Sequence, residues 1–404
     1  MNATIFAGAA QIVTCESTDP DSVKSGAAVA VVNGRIAAVG GEAELAGRFP
    51  GADRVDCAGG VVTPGFVDSH THAVFGRWRA EEYALRCTGV PYMEIARQGG
   101  GINASVRDLR SRSEDELVEL TRPRLREMLR FGTTTAEVKS GYGLTTEDEL
   151  KMLRVIRRLN EEGPIDLVPT FMGAHEVPPE YRGHRSRYVE LVVQEMIPAV
   201  AEAGLAVFCD VFMEPGVFNP VETRRILEAG LAHGLWPKLH ADELENSGGA
   251  ELAIELNAAS ADHLGQVSDA AIRMFPRSET VATLLPATLF FLGRKQYAPG
   301  RRLLDAGAKV ALATDFNPGS APSPSMPLVL TMACSQMGFD PLEALVAATA
   351  GGARALRFED GRGTLRPGAP ADLILWDVGD YREIPYHFGS YRIRGVWKRG
   401  TRVV

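Results

Sequence analysis

Two histidines separated by one residue, His70 and His72, follow an apolar segment that is typical of a buried strand. Side chains two positions apart on a strand project to the same face, so both imidazoles can reach one metal ion where the strand ends. The same spacing also occurs on strand surfaces and in protein cores, where it holds no metal. The residues that the rest of the chain brings to this pair therefore decide between the two interpretations.

Eight short apolar segments alternate with segments of helical periodicity, such as 114–131 and 146–161. This alternation predicts parallel strands with crossover helices, and eight such units close into a (β/α)8 TIM barrel of the α/β class. The predicted strands are 61–67, 133–138, 165–172, 206–213, 237–240, 259–263, 280–284 and 309–314.

The two ends of the chain have a different pattern. Segments 27–32 and 35–39 alternate apolar and polar residues around Asn33-Gly34, which predicts a tight β-hairpin. Strand-like segments return after residue 358, at 363–367, 372–377 and 393–399. We therefore predict that residues 1–61 and 358–404 form a small composite β-sandwich domain beside a barrel domain of residues 62–357.

Polar residues follow the predicted strands at the end where barrel enzymes carry their chemistry. Five of the eight strand ends carry a histidine or an aspartate, although the chain has only 8 histidines. Each could be a hydrogen-bonded structural residue by itself, but together at one end of a barrel they predict a metal site. These residues are His70, His72, Lys139, Tyr142, His175, Glu214, His240, Glu243, His263, Asp315 and Asn317.

Three imidazoles and one carboxylate, from His70, His72, His240 and Asp315, would suit one Zn or Fe ion with an open position for water. A bound ion lowers the pKa of its water toward neutrality, so this ligand set predicts hydrolysis by a metal-bound hydroxide. Asp315 is then expected both to bind the ion and to accept a proton from the water.

Two further residues are candidates for a direct role in the reaction. Glu243 lies three residues beyond His240, and we predict that it carries a proton to a ring nitrogen of the substrate. The alternative for Glu243 is a solvated loop carboxylate. His263 is expected to stabilise developing negative charge on the substrate, with a purely structural role as its rival.

These residues resemble the amidohydrolase superfamily. The resemblance rests on the Pro-Gly-x-x-Asp-x-His-x-His element of residues 64–72, on the histidines of strands five and six, on Asp315 and on the flanking β domain. The segments Lys-Ser-Gly-Tyr-Gly-Leu at 139–144 and Thr-Asp-Phe-Asn-Pro-Gly-Ser at 314–320 are similar to one member of it. That member is a hydrolase of histidine degradation that opens a five-membered cyclic amide carrying a propanoate chain.

The resemblance implies which residues bind that substrate. Arg79 follows His72 by seven residues, and a guanidinium can hold a carboxylate through two parallel hydrogen bonds. An ordinary surface arginine is the alternative for Arg79. The resemblance further implies substrate contacts from Tyr142, His175 and Glu243, a neighbouring Tyr92, and an opposite wall formed by Asn317, Gly319 and Ser320.

The number and identity of the metal ions are separate questions. Many amidohydrolases hold two ions bridged by a carboxylated lysine at the end of strand four, where this chain has Met213 and Glu214. A single ion is therefore predicted, while a bridging role of Glu214 stays open. Both zinc and iron suit the ligand set, so the choice between them also stays open.

Composition excludes several other classes of protein. The chain has 404 residues and a formal net charge of -8, which argues against a nucleic-acid partner. The longest apolar segments are of strand length, which argues against a membrane protein. Five scattered cysteines predict a reducing, cytoplasmic environment. A small-molecule substrate and a homodimer are the remaining expectations for partners.

Two other functional classes remain as alternatives. One is another mononuclear amidohydrolase, such as a deaminase of a heterocycle. An uncharged substrate would favour this alternative, because it would not need the guanidinium of Arg79. The other is a binding protein on the same fold, which would have no need of an activated water or of Glu243.

Overall fold

The computed structural model describes residues 3–90, 94–95 and 99–404. The N-terminal part forms short strands, and the predicted hairpin is confirmed, because Ala27–Val32 pairs antiparallel with Arg35–Gly41. Asn33 and Gly34 have φ values of 50° and 76°, the left-handed conformations that a tight two-residue turn requires. The strands of this part are β1 (Ala3–Ala7), β2 (Gln11–Val13), β3 (Val23–Ser25), β4 (Ala27–Val32), β5 (Arg35–Gly41), β6 (Asp53–Asp56) and β7 (Val61–Pro64).

Eight parallel strands follow in sequential order and confirm the predicted barrel. They are β8 (Phe66–Asp68), β9 (Thr133–Lys139), β10 (Asp166–Ala174), β11 (Phe208–Met213), β12 (Trp236–Ala241), β13 (Ser260–His263), β14 (Val281–Leu284) and β15 (Val310–Leu312).

Helices connect the barrel strands and extend beyond them. The side chain of Thr145 accepts the N–H of Asp148 and so begins the helix that follows β9. The helices of this part are Ala80–Cys87, Ile102–Arg110, Glu114–Arg130, Thr146–Glu162, Arg185–Leu191, Ile197–Glu202, Pro220–Ala232, Gly249–Glu255, Asp269–Met274, Pro286–Phe291, Gly300–Ala306, Met326–Met337, Pro341–Val346 and Gly352–Ala355.

The barrel closes between the ends of its first and last strands. The N–H of Asp315 donates to the carbonyl of His70 at 3.0 Å, and the N–H of His72 donates to the carbonyl of Phe316 at 2.9 Å. The backbone that closes the barrel thus carries three of the four predicted metal ligands.

Both ends of the chain build the sheets beside the barrel. The C-terminal part adds β16 (Leu373–Trp376), β17 (Ile393–Lys398) and β18 (Thr401–Arg402). The helix Glu42–Arg48 packs against β4 and β5, and the helix Glu383–Tyr386 packs against the helix Met326–Met337. One sheet has the order β5-β4-β1-β6, and the other has the order β18-β17-β16-β7-β2-β3. Their inner faces share an apolar core in which Phe6 and Trp397 pack edge to face at 5.0 Å. This two-sheet arrangement confirms the predicted β-sandwich from both termini.

Two strand predictions were wrong. The segment 61–67 is not one strand: β7 pairs with β16 and β2, and β8 starts the barrel. Gly65 lies between them, and only glycine fits there, since a Cβ would lie 2.3 Å from Oγ1 of Thr134. The segment 363–367 forms turns, in which Gly363 and Gly368 have φ values of 75° and 89°. The division into domains at residues 61 and 358 stays a prediction.

Candidate metal centre and active site

The structure brings five histidines together at the carboxyl ends of the barrel strands. One ring nitrogen from each of His70, His72 and His240 lies within 4.8 Å of the others. His175 stacks on His72 with ring centroids 5.0 Å apart, and His263 lies 5.1 Å from His240. Burial lowers the pKa of His70 and of His72 well below the ordinary value, so both rings are neutral and can bind a metal ion.

Carboxylates behind two of these rings decide which nitrogen faces the centre. Nδ1 of His70 lies 2.6 Å from Oδ2 of Asp262, and Nδ1 of His240 lies 3.0 Å from Oδ1 of Asp210. Each Nδ1–H therefore donates to its carboxylate, and each Nε2 keeps its lone pair. Both Nε2 atoms are buried without a hydrogen-bond partner in the described residues.

The fourth predicted ligand, Asp315, lies beside two of these histidines, although it belongs to neither group whose ligand atoms all lie within 4.8 Å of one another. Its Oδ1 lies 3.5 Å from Nε2 of His70 and 3.7 Å from Nε2 of His72, while its Oδ2 accepts the hydroxyl of Thr288. Burial raises the pKa of the Asp315 carboxyl to about 6. Its backbone has a φ of 54°, a costly conformation for this residue that the closing hydrogen bonds hold in place.

This donor set fits a metal ion. Two orphaned imidazole nitrogens, a third imidazole and a carboxylate oxygen face one another in a buried space, and an N3O set of this kind suits Zn or Fe. A buried lone pair without a partner is unfavourable unless something binds it. Occupation by an ion therefore explains why the structure tolerates these unpaired nitrogens.

Beneath the histidines lies a group of charged side chains that we call the floor, and all of them are fully buried. Asp210, Lys238 and Asp262 come from three adjacent strands, β11, β12 and β13, while Glu137 and Lys139 come from β9, on the far side of β10. The ammonium groups alternate with the carboxylates, so every charge has an opposite neighbour. The floor consists of Glu137, Lys139, Asp210, Lys238 and Asp262.

Sequence reasoning placed Lys139 at a strand end but did not identify the floor. The signal was available, since charged residues interrupt otherwise apolar strand segments, as in Phe208-Cys209-Asp210-Val211. A charge inside a buried strand needs a partner, but the segment itself does not indicate which residue that partner is.

Glu243 and His263 lie together beside the metal ligands. Oε2 of Glu243 is 3.7 Å from Nε2 of His263, and both side chains are buried. Burial, reinforced by the charge of Asp315, raises the pKa of Glu243 well above its ordinary value. Both ring nitrogens of His263 lack a hydrogen-bond partner in the described residues. These two side chains are therefore free to meet a substrate.

Glu214 anchors the backbone that carries Glu243. Its Oε1 accepts the N–H of Leu244 at 2.8 Å. It belongs to neither group of described residues that could hold a metal ion, which are His70, His72 and His240, and His70 with two floor carboxylates. The ammonium groups of the floor contact the carboxylates of the second group.

Arg79 lies in the loop above the barrel, with only 7% of its side chain exposed. Nε and Nη1 of its guanidinium are buried without a hydrogen-bond partner in the described residues, and the carboxylate of Glu82 lies 3.7 Å from Nε. Gly319 packs so closely that a Cβ there would lie 1.2 Å from Nη2 of Arg79. A buried cation with free donors is the kind of site that binds a carboxylate.

Asn317 organises the loop that contains Gly319. Its Oδ1 accepts the N–H groups of Gly319 and Ser320, both at 2.8 Å, and its Nδ2 donates to the carbonyl of Asp315 and to the hydroxyl of Ser320. Both the oxygen and the nitrogen of the Asn317 amide are thus bound within its own loop. Asn317 therefore fixes the shape of this loop.

Tyr142 and His175 form the wall beside His72. Nδ1–H of His175 donates to the carbonyl of Gly141 at 2.9 Å, and burial lowers the pKa of His175 to about 3. The buried carboxylate of Glu149 accepts the N–H groups of Gly141, Gly143 and Leu144 and so holds the loop that carries Tyr142. Glu149 is a second group that sequence reasoning missed. The predicted contact Tyr92 lies outside the described residues.

Comparison with known proteins identifies the relatives of this chain. The model of the amidohydrolase family matches residues 61–403, and that of the imidazolonepropionase-like composite domain of bacteria matches residues 27–52. The imidazolonepropionase of Symbiobacterium thermophilum is 48% identical, with 99% of this chain and 97% of the relative covered. That of Myxococcus xanthus is 50% identical, with 94% and 91% covered. The chain belongs to the amidohydrolase family, in its imidazolonepropionase branch.

Solved structures support the fold of this amidohydrolase. A triazine hydrolase variant has a TM-score of 0.76 at 19% identity and covers 100% of this chain and 95% of its own. An adenosine deaminase from Xanthomonas campestris with bound zinc has a TM-score of 0.73 at 20% identity, with 99% and 92% covered. Within the described residues, no helix of this amidohydrolase has the length and apolarity needed to cross a membrane.

Proposed function

We propose that this chain hydrolyses 4-imidazolone-5-propanoate to N-formimidoyl-L-glutamate, the reaction for which its imidazolonepropionase relatives are named. One water is added across the ring amide: the carbonyl carbon gains the hydroxyl group, and the ring nitrogen gains the proton. The observation that carries this proposal is the buried, partly unpaired guanidinium of Arg79, because it matches a substrate that carries a free carboxylate.

Substrate binding follows from the two walls of the site. The propanoate group pairs with Arg79, whose position Gly319 permits and Asn317 supports through its loop. The ring then lies against Tyr142 and His175, with its amide toward the histidine cluster. Charge at one end and aromatic walls at the other set the orientation of the ring.

His70, His72, His240 and Asp315 hold one ion, zinc or iron, in this proposal. When bound, it supplies a Lewis acid and lowers the pKa of water. Metal analysis of the purified protein distinguishes zinc from iron, and two equivalents per chain would contradict a single-ion centre.

Three side chains handle charge and protons. Asp315 accepts a proton from the attacking water, while the hydroxyl of Thr288 holds its carboxylate in place through Oδ2. Glu243 carries a proton to the ring nitrogen as the amide bond breaks, and the raised pKa of its carboxyl suits a proton carrier. His263 donates a hydrogen bond to the carbonyl oxygen as negative charge develops there.

The deciding experiment is an assay of the purified, metal-loaded protein on 4-imidazolone-5-propanoate, with N-formimidoyl-L-glutamate measured as the product. We expect turnover that Glu243→Gln abolishes while its metal content stays unchanged. Ammonia release from a heterocyclic amine, with no ring opening of the imidazolone, would instead identify a deaminase and overturn the proposal.

We also propose that the enzyme is a cytoplasmic homodimer with a composite β domain of residues 1–61 and 358–404. All five cysteines are free in the structure, which agrees with a reducing compartment. A closed dimer is the commonest assembly for an enzyme of this kind. Light scattering coupled to gel filtration measures the assembly, and a monomeric mass would contradict this part of the proposal.

A further inference from the structure

Lys139 lies at the centre of the floor. Its ammonium is 2.6 Å from Oδ2 of Asp210, 2.9 Å from Oε1 of Glu137 and 3.7 Å from Oδ2 of Asp262. The side chain is fully buried. Burial alone would lower the pKa of this ammonium, but the three carboxylates outweigh that effect and raise it, so Lys139 remains charged.

One carboxylate joins Lys139 to a proposed metal ligand. Asp210 uses Oδ2 to accept from Lys139 and Oδ1 to accept from Nδ1 of His240. It also accepts the backbone N–H of His240 at 3.2 Å through the same Oδ1. The orientation of the His240 ring therefore depends on the position of a carboxylate that Lys139 holds from the other side.

Stability alone does not explain this arrangement. Removing charges from water costs free energy that their mutual attraction often fails to recover, and apolar side chains of similar volume often stabilise a core as well or better. An apolar floor would hold the barrel together, but it would leave Nδ1 of His240 without an acceptor. The charges of the floor are therefore better explained by what they do for the metal ligands.

We propose that Lys139 is a positioning residue for the metal centre: it holds Asp210 against His240 and so directs Nε2 of His240 toward the ion. This inference rests on the metal centre of the proposed function and extends it to a residue that contacts neither substrate nor ion. Groups that orient a metal-binding histidine typically change metal affinity by about 10- to 100-fold.

The direction of the change in metal affinity distinguishes a positioning role of Lys139 from the electrostatic effect of its charge. Replacement of Lys139 by an uncharged residue removes a positive charge near a cation site, so electrostatics alone would make the ion bind more tightly. Loss of positioning would make it bind more weakly, because the Asp210 carboxylate and the His240 ring could leave the geometry that the ion needs.

The test measures the affinity for Zn²⁺ alone, by competition with a chelator and without substrate. We expect Lys139→Met to weaken binding by about 10- to 100-fold. Lys295→Met, a change of an exposed lysine, is the matched control and should leave the affinity unchanged. Unchanged or tighter binding by the Lys139→Met variant would overturn the proposal.

A comparison of two other variants covers the case in which Lys139→Met alone does not fold. The variant with both Asp210→Asn and Lys139→Met loses one charge of each sign and keeps the net charge of the floor. If Lys139 acts through Asp210, this variant should bind Zn²⁺ no more weakly than Asp210→Asn alone. A further tenfold weakening in the double variant would overturn the proposal.

The outcomes also separate this inference from the proposed function. Failure of the unsubstituted chain to bind Zn²⁺ would overturn the metal centre and the role of Lys139 together. Tight Zn²⁺ binding without turnover of the imidazolone would overturn the proposed reaction and leave the role of Lys139 intact.

Discussion

The floor beneath the histidines and a second group of side chains, which we call the rim, differ in whether their buried polar groups have partners. In the floor, Lys139 and Lys238 contact three carboxylates, so every charged group has an oppositely charged neighbour, and only Oδ1 of Asp262 among the floor oxygens lacks a hydrogen-bond partner in the described residues. In the rim, by which we mean Arg79, Glu243 and His263, donors of Arg79 and both ring nitrogens of His263 lack hydrogen-bond partners within the described residues. Both regions are shielded from solvent.

This difference separates a region whose charges are neutralised within the folded chain from a region whose hydrogen-bond donors are left for another molecule. A fully paired group of charges holds side chains in one geometry, which a metal centre needs before the ion arrives. Unpaired buried donors cost free energy, and a substrate that supplies the missing partners recovers it. We therefore expect substitutions in the floor to change stability and metal binding, and substitutions in the rim to change catalysis alone.

The largest effect is expected between the two regions, at the proposed metal ligands. His240→Ala removes one imidazole and should lower kcat by about 10³-fold or more, because Lewis-acid catalysis contributes several kcal/mol. Metal content should fall below one equivalent per chain, as elemental analysis of the purified variant would show. His233→Ala, at an exposed histidine, is the control and should retain both activity and metal.

Glu137→Gln tests the floor itself. Glu137 accepts from Lys139 and Lys238, so the neutral amide would leave two buried ammonium groups short of a counter-charge. We expect the free energy of unfolding to fall by about 3 kcal/mol, measured by denaturant titration of the metal-free protein. Glu119→Gln, where the side chain is 71% exposed, should change it by less than about 0.5 kcal/mol. Equal values for the two variants would show that the paired charges of the floor do not stabilise the fold.

Arg79→Ala tests the rim. Loss of the charged hydrogen bonds to the substrate carboxylate should lower kcat/KM by about 100-fold, since such bonds contribute about 1.5–3 kcal/mol. The melting temperature and the metal content should stay at their original values, because Nε and Nη1 of Arg79 have no hydrogen-bond partner in the described residues. Arg77→Ala, at an exposed position of the same loop, is the control. A large loss of stability on Arg79→Ala would erase the distinction between floor and rim.

Gly319→Ala should give the smallest effect. Its new Cβ would overlap Nη2 of Arg79 and push the guanidinium away from its position without removing its charge. We expect KM to rise by about 10-fold with little change in kcat, as a steady-state assay would measure. Gly183→Ala, where a Cβ meets no atom within 4 Å, is the matched control. An unchanged KM would mean that Arg79 does not need its present position.

The parts of the fold that depend on local sequence pattern could be predicted from the sequence. Short apolar segments alternating with helical ones predicted the barrel, and Asn33-Gly34 predicted the hairpin of the β domain, because these turns and periodicities are properties of neighbouring residues. The split between β7 and β8 was missed, since it depends on distant pairing partners: β7 pairs with β16 and β2, whereas β8 pairs with β9. The predicted ligands meet because parallel strands of a barrel all end on one face.

By itself, the sequence thus determined which chemical groups stand at the strand ends and, by resemblance, which reaction they suit. Only the tertiary structure decided which nitrogen of His70 and of His240 is free, which carboxylate holds each ring, and that Arg79 is buried with donors to spare. The reason is distance along the chain. Asp262 is 192 residues from His70, and Asp210 is 71 residues from Lys139, so their pairing leaves no local pattern and exists only once the strands close the barrel.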